Sequence, residues 1–188
     1  GKCSEMAAAG SNPFAFTESG QQDVVLNEVV VERAQYSGLA DLDCFMNGVF
    51  VTKIQADGVI LATCTGSTAY SLSAGGSMVH PALPAILLTP ICPHSLSFRP
   101  LVLSDSATIR IQLPLVSRCT RVRVSTDGRT SSWSELGPGD SLLVKMSPYP
   151  VPAMCLGTET SDWFSSVRNN LHWNLRESQK PPEVKASL

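Results

Sequence analysis

Charge of a single sign is scarce in this 188-residue chain. Fourteen basic and sixteen acidic residues leave a net charge of −2. That balance supplies neither the basic field nucleic acid requires nor a polybasic patch for a membrane surface. It does not exclude a phosphate-bearing ligand, because a cradle of main-chain amides is absent from the charge total. No apolar run reaches the roughly 20 residues a membrane-spanning helix needs, and Met6-Ala7-Ala8-Ala9 is too short for the core of a secretory signal. Six cysteines, at positions 3, 44, 64, 92, 119 and 155, form no Cys-x-x-Cys pair. Disulfides are therefore not expected to frame the fold, and a reducing compartment is: the cytoplasm by default, a plastid or other organelle as the alternative. Cys92-Pro93-His94 has no second Cys/His pair to complete four ligands, so no metal site is expected within the chain. No internal repeat of fixed period is found. The chain opens on Gly1 rather than Met, which reads as a fragment, a processed product or an incomplete gene model.

Hydrophobic residues make up 43% of the sequence, ample for one core, and a chain of this size can bury about 70% of the surface its unfolded form exposes. Residues 1–22, rich in Gly, Ser, Ala and Gln, read as a flexible leader or inserted loop. Residues 23–177 read as one domain, and 178–188, with a Pro-Pro pair and mixed charge, as a disordered tail. Val24-Val25-Leu26 and Val29-Val30-Val31 bracket Asn27-Glu28 as one or two strands. Asn47-Gly48 between two apolar runs predicts a hairpin with a type I′ turn. Val59–Ala62 and Ala85–Thr89 read as buried strands, and 109–113, 122–124 and 141–146 as further strands, with Asp127-Gly128 turning toward Trp133. Residues 90–100, with three prolines, read as irregular. A short helix is expected to start near Thr68 and stop at Gly75. A second, capped by Ser161-Asp162, packs Trp163, Phe164, Val167 and Leu171 into the core. The fold class is thus mainly β and sandwich-like, with one short helix after the Thr65–Tyr70 turn and one near the C-terminus.

Chemistry concentrates in Ala56–Tyr70, a buried strand running into a turn of glycine and hydroxyls. Glycine lets main-chain amides face an anion or sugar, and small hydroxyls add donors and acceptors. In Thr65-Gly66-Ser67-Thr68-Ala69-Tyr70 the Gly-Lys-Ser/Thr ending of a P-loop is missing, and Tyr70 offers a flat face for stacking. Asn27 can both donate and accept at a purine edge, while Glu28 can accept from an exocyclic amine or a ribose hydroxyl. Taken one at a time, these are also an ordinary polar pair in a strand and a capped helix start. Asp57-Gly58 reads either as a ribose-binding carboxylate or as a plain turn. His80 and His94 have no neighbouring orienting carboxylate and read as structural. Arg99, ahead of Pro100, reads as tying down its loop.

In order, Leu26-Asn27-Glu28, Asp57-Gly58-Val59-Ile60, Thr65–Tyr70, Gly75-Gly76, His80-Pro81, Thr89–Pro100, Asp127-Gly128-Arg129 and Ser161–Phe164 resemble the carboxyl-terminal domain of eukaryotic NAD kinases across residues 24–177. The resemblance implies an enzyme that phosphorylates the 2′-hydroxyl of the adenosine ribose of NAD to give NADP. ATP is the implied donor, with a divalent metal (Mg) held by an amino-terminal domain. That domain's GGDGT motif, whose aspartate is the implied general base, does not occur here, so no catalytic residue is expected in this chain and inactivity alone is. By the same resemblance Asn27 and Glu28 contact the adenosine part, Thr68, Ala69, Tyr70 and Ser73 line the dinucleotide pocket, and Asp57 meets the nicotinamide-ribose end in a neighbouring subunit's site. A homo-oligomer is implied. Ala56 stands where the family usually has Gly, and Cys64 where Pro is usual. The alternatives are a non-catalytic nucleotide-binding or oligomerisation module and, from composition alone, an interaction sandwich with no nucleotide role.

Overall fold

Three consecutive valines, stiff at χ1 and favoured on a pleated surface, lie in strand β1 (Glu28–Arg33), an inner strand of a six-stranded antiparallel sheet. The computed structural model describes residues 22–35, 38–130 and 135–175. The expected tail, Trp133 and all but the last residue of the expected leader lie outside the described residues. In chain order follow β2 (Ala40–Met46), β3 (Val49–Ala56), β4 (Gly58–Thr63), β5 (Ala85–Ile91), β6 (Leu101–Ser104), β7 (Ile109–Gln112), β8 (Val122–Thr126), β9 (Glu135–Leu136) and β10 (Ser141–Val144). The first sheet has the order β6-β5-β4-β1-β8-β9, the second β10-β7-β2-β3.

Period-2 alternation decides which side chains meet. Val29, Val31, Val59, Leu61, Ile86 and Leu88 share one core cluster with Leu42, Ile54, Ile109 and Ile111 of the second sheet. Val30, Ile60 and Leu87 point the other way and form a smaller cluster with Cys64, Val79 and Ala85. The first sheet is therefore apolar on both faces, and its second face is where the segment after β4 packs. Burial pushes the Cys44 thiol up to about 11, so it behaves as a small inert hydrophobe.

Asn47 (φ 49°) and Gly48 (φ 82°) join β2 to β3 in the left-handed conformations a type I′ turn requires. β5 runs on through Pro90 into the stretch expected to be irregular. Pro90 is tolerated because β6 pairs only as far as Leu88, leaving no ladder bond for the missing N–H on that side. β1 begins at Glu28, so Val24–Leu26 is not a strand.

The chain divides after Tyr149 into two compact units. The second holds α2 (Glu159–Leu171). Its cap is Thr158 rather than Ser161-Asp162: the Thr158 hydroxyl accepts from the Ser161 N–H, and the Ser161 side chain accepts from the Thr158 N–H in return. Asp162 instead accepts from the N–H groups of Leu156 and Gly157. Of the apolar stripe expected in the core, only Val167 is buried; Phe164 and Leu171 are exposed at 41% and 39%.

Candidate functional site

Glu28 opposes Ala62, so the start of β1 lies beside the end of β4. Thr63 locks the junction. Its N–H donates to the Asn27 carbonyl at 2.9 Å and its hydroxyl to the Leu26 carbonyl at 2.7 Å, while that hydroxyl accepts the Gly66 N–H at 3.1 Å. The turn presses directly on Asn27, which is why residue 66 carries no Cβ: one placed there would fall 2.1 Å from the Asn27 carbonyl oxygen.

Thr65–Thr68 is one 3-10 turn, and α1 (Tyr70–Ser73) follows after a break at Ala69. The expected short helix is thus present but is split in two, and Gly75 at φ 88° ends it. The hydroxyls of the segment divide by role. Ser67 is fully buried and both donates to and accepts from the Val79 main chain. Ser71, also fully buried, bonds the Thr89 hydroxyl at 2.9 Å. These two hold the segment on the sheet and are not free for a ligand. Thr68, whose hydroxyl makes one bond of 3.3 Å to the Thr65 carbonyl, and the exposed Ser73 and Tyr70 remain on the outer side.

Glu28 is 7% exposed, and its Oε2 atom is buried with no hydrogen-bond partner. Burial first, then the charge of Asp127, raises its carboxyl above the ordinary value; the Tyr70 main-chain N–H opposes both. Between the ordinary value of 4.5 and the raised one, the native state binds more protons than the unfolded chain. Stability therefore falls as pH rises through that window, and the whole cost is present above it. Glu28→Gln is expected to melt higher than wild type at pH 7.5, with the gap closing as pH approaches 4.5. Differential scanning calorimetry across that range checks it; a Gln variant less stable at every pH would contradict the assignment. A residue that costs stability in place is one whose presence requires another reason.

Asp57 sits at the opposite end of β4, six residues or roughly 20 Å from Thr63 along the strand. Its carboxylate pairs with the Arg33 guanidinium at 2.9 Å, its N–H donates to the Ile91 carbonyl, and its carbonyl accepts from the Arg33 N–H. The Tyr70 side chain relates the two ends: partial burial, then nearby Glu32, Cys92 and Asp57, raise its phenol above the ordinary value. Asn27, Glu28, Thr68, Ala69 and the Tyr70 main chain thus gather at one sheet end, with Ser73 closing α1, while Asp57 lies at the other end of β4 and bears on this group through its charge on the Tyr70 phenol. His80 Nδ1 accepts the Ala82 N–H, and the His94 N–H donates to the Gln55 carbonyl, both loop-fixing bonds.

One contributor escapes sequence reasoning. Asp127, read from sequence only as a turn residue, accepts from three consecutive N–H groups: Leu26 at 2.8 Å through Oδ2, Asn27 at 2.8 Å and Glu28 at 3.1 Å through Oδ1. Burial acts to raise its carboxyl, but the three N–H donors and Arg129 outweigh it and hold it below the ordinary value. The Asp-Gly pair after a strand was the signal; the partner, about a hundred residues away, was not in it.

Two depressions lie elsewhere, one of about 250 Å³ lined by Lys53, His94 and Ser97, the other of about 650 Å³ lined by Asp41, Gln55 and Arg118. Neither is lined by Asn27, Glu28 or Tyr70. Among the described residues no group of three or more His, Cys, Asp or Glu is placed to hold a metal ion. None of the described helices is long and apolar enough to cross a membrane.

Comparison with known proteins gives one answer. Residues 26–156 match the model of the ATP-NAD kinase C-terminal domain. The chain is 49% identical over 156 residues to NAD kinase 2, chloroplastic, of Arabidopsis thaliana, covering 83% of this chain and 16% of that protein. It is 44% identical over 177 residues to the ATP-NADH kinase YEF1 of Saccharomyces cerevisiae, covering 94% of this chain and 35% of that protein. It therefore spans about a third or less of the length of these curated relatives. Among solved structures it superposes on yeast NADH kinase complexed with NADH at a TM-score of 0.72 and 39% identity, over 84% of this chain and 46% of that one. An NAD kinase from Archaeoglobus fulgidus in complex with ATP follows at a TM-score of 0.64 and 28% identity, over 77% and 54%. The two-sheet fold, the turn that follows β4 and the matched residues agree: the chain belongs to the NAD kinase family, of which residues 26–156 are the C-terminal domain.

Proposed function

We propose that this domain holds the acceptor dinucleotide of an NAD kinase, which phosphorylates the 2′-hydroxyl of the adenosine ribose of NAD with ATP to give NADP. The observation that carries this is the convergence of Asn27, the buried carboxyl of Glu28 and the Thr65–Tyr70 turn at one sheet end, tied together by Thr63. A yeast relative of the same fold is a kinase complexed with NADH, which supports a pyridine dinucleotide as ligand. Asn27 and Glu28 take the adenosine part, where the orphaned Oε2 of Glu28 accepts a ribose hydroxyl or an exocyclic amine. Tyr70 stacks on a flat ring, and Thr68, Ala69 and Ser73 line the rest. Asp57, at the far end of β4, serves the nicotinamide-ribose end of a neighbouring subunit's site in a homo-oligomer. Phosphoryl transfer is mostly positioning and charge stabilisation. This domain orients the nucleophilic hydroxyl. Donor, metal and general base belong to the part of the family's length this chain does not span. The described cysteines are free thiols, which favours a reducing compartment such as the cytoplasm; the chloroplastic Arabidopsis relative keeps a plastid as the second reading.

The rival reading is a binding or oligomerisation module without catalysis. Two measurements separate these. Titration of the chain with NAD is expected to move the Asn27 and Tyr70 amide resonances at millimolar ligand or below; resonances that stay still would remove the pocket. Joined to a GGDGT-bearing domain, the chain is expected to convert NAD to NADP with ATP; binding without turnover in that joined protein would leave the module reading standing.

A further inference from the structure

We propose that Asp127 is a positioning residue for the nucleotide, acting through Asn27 and Glu28. This rests on the reading of those two residues as the adenosine contacts. A strand offers its N–H groups alternately to two neighbours, so three consecutive amides turned to one acceptor is not strand geometry. Leu26, Asn27 and Glu28 instead fold round the Asp127 carboxylate as a small nest of donors. The Asp127 N–H meanwhile donates to the Glu28 carbonyl at 3.0 Å, so the segment is held from both its amide and its carbonyl side.

The turn that supplies this carboxylate is itself fixed. Asp127 (φ 46°) and Gly128 (φ 71°) form a two-residue turn closed by Thr126 and Arg129, whose N–H groups bond each other's carbonyls at 2.9 and 2.8 Å. β8 pairs with β1, with Val29 opposite Thr126, so the turn emerges beside the residues it holds. The Asn27 side chain hangs from a main chain fixed by Thr63 on one side and Asp127 on the other. Glu28 enters its buried site from the same anchored peptide. Loosening the anchor lets the Asn27 amide and the Glu28 carboxyl leave the geometry in which both reach one nucleoside, and misplacement of contact groups lowers affinity without removing any contact group.

Asn tolerates the left-handed conformation at position 127, so Asp127→Asn keeps the turn and removes the charge and one acceptor. The expected result is a folded chain with the wild-type hairpin, faster hydrogen exchange at the Leu26, Asn27 and Glu28 amides, and NAD affinity lowered about tenfold, equivalent to about 1.4 kcal/mol. In a Glu28→Gln background the same substitution is expected to cost only about threefold, because the group it positions is already altered. Asp127→Gly, which also accepts the conformation, is read the same way should the Asn variant not fold. Unchanged affinity in a folded variant overturns the proposal, and so does an equal loss in the Glu28→Gln and an Asn27→Ala background alike, that outcome marking a role in stability alone. A wild-type chain that does not bind NAD overturns the nucleotide reading itself and takes this inference with it, a result distinguishable from wild-type binding that Asp127→Asn leaves intact.

Discussion

Replacing Gly66 with alanine is expected to lower the melting temperature by about 6–12 °C and to abolish nucleotide binding. The added methyl would sit 2.1 Å from the Asn27 carbonyl oxygen, 2.6 Å from its carbonyl carbon and 2.9 Å from its Cα. All three are main-chain atoms, so no rotamer change makes room. Either Asn27 moves off β4, breaking the bond its carbonyl receives from the Thr63 N–H, or the turn lifts and loses the bond from the Gly66 N–H to the Thr63 hydroxyl. Overpacking of this kind costs about 3 kcal/mol, and in a chain of this size each kcal/mol moves the midpoint by about 2–4 °C. Gly75→Ala is the internal control. Nothing lies within 4 Å of a Cβ at that position, but φ is 88°, so only the left-handed penalty of about 1–2 kcal/mol applies. Calorimetry of the two variants should show the larger drop at Gly66, with NAD-induced shifts surviving at Gly75→Ala only. A Gly66→Ala protein that melts and binds as wild type would mean the turn does not rest on Asn27.

The same contact explains why the sequence reveals the site's parts more readily than its assembly. Asn47-Gly48 announces its hairpin because the conformational demand is local to two residues. Period-2 alternation in Ile109–Gln112 and the β-branched run of Val29–Val31 likewise carry their strands within a few residues. β6 and β9 carry no such local mark: four residues at a sheet edge and a two-residue pair depend on the strands they join. The Thr65–Tyr70 turn is recognisable from composition, yet composition cannot say which hydroxyls face inward. Ser67 and Ser71 turn to Val79 and Thr89, partners set by the packing of the segment on the sheet. Thr158 outcompetes Ser161 as the cap of α2 because the helix begins at Glu159, three residues earlier than a Ser161 cap implies. Asp127 is the extreme case, since its three bonds span about a hundred residues of sequence. The order of the motifs is what carries the resemblance to NAD kinases, and order, unlike any single motif, is a long-range property.

Asp57 provides the sharpest test of how the proposed site is completed. It lies roughly 20 Å along β4 from the Thr63 junction and is paired with Arg33. If it serves a neighbouring subunit, Asp57→Ala and Glu28→Ala damage different halves of each shared site. In the joined two-domain protein each variant alone is expected to lose activity by about a hundredfold or more, in line with the loss of a positioning contact. Mixed in equal amounts, dissociated and reassembled, they are expected to recover about a quarter of wild-type activity: half of the random two-fold pairs are mixed, and each mixed pair has one site with both residues intact. If Asp57 acts within its own chain, every site in the mixture carries one defect and nothing is recovered. The Arg33 pair does not blur this outcome, because an exposed ion pair contributes about 0–1 kcal/mol to stability and its loss leaves the subunit folded. Recovery near zero, with mixed assembly verified by mass spectrometry of differently tagged subunits, would confine Asp57 to its own chain.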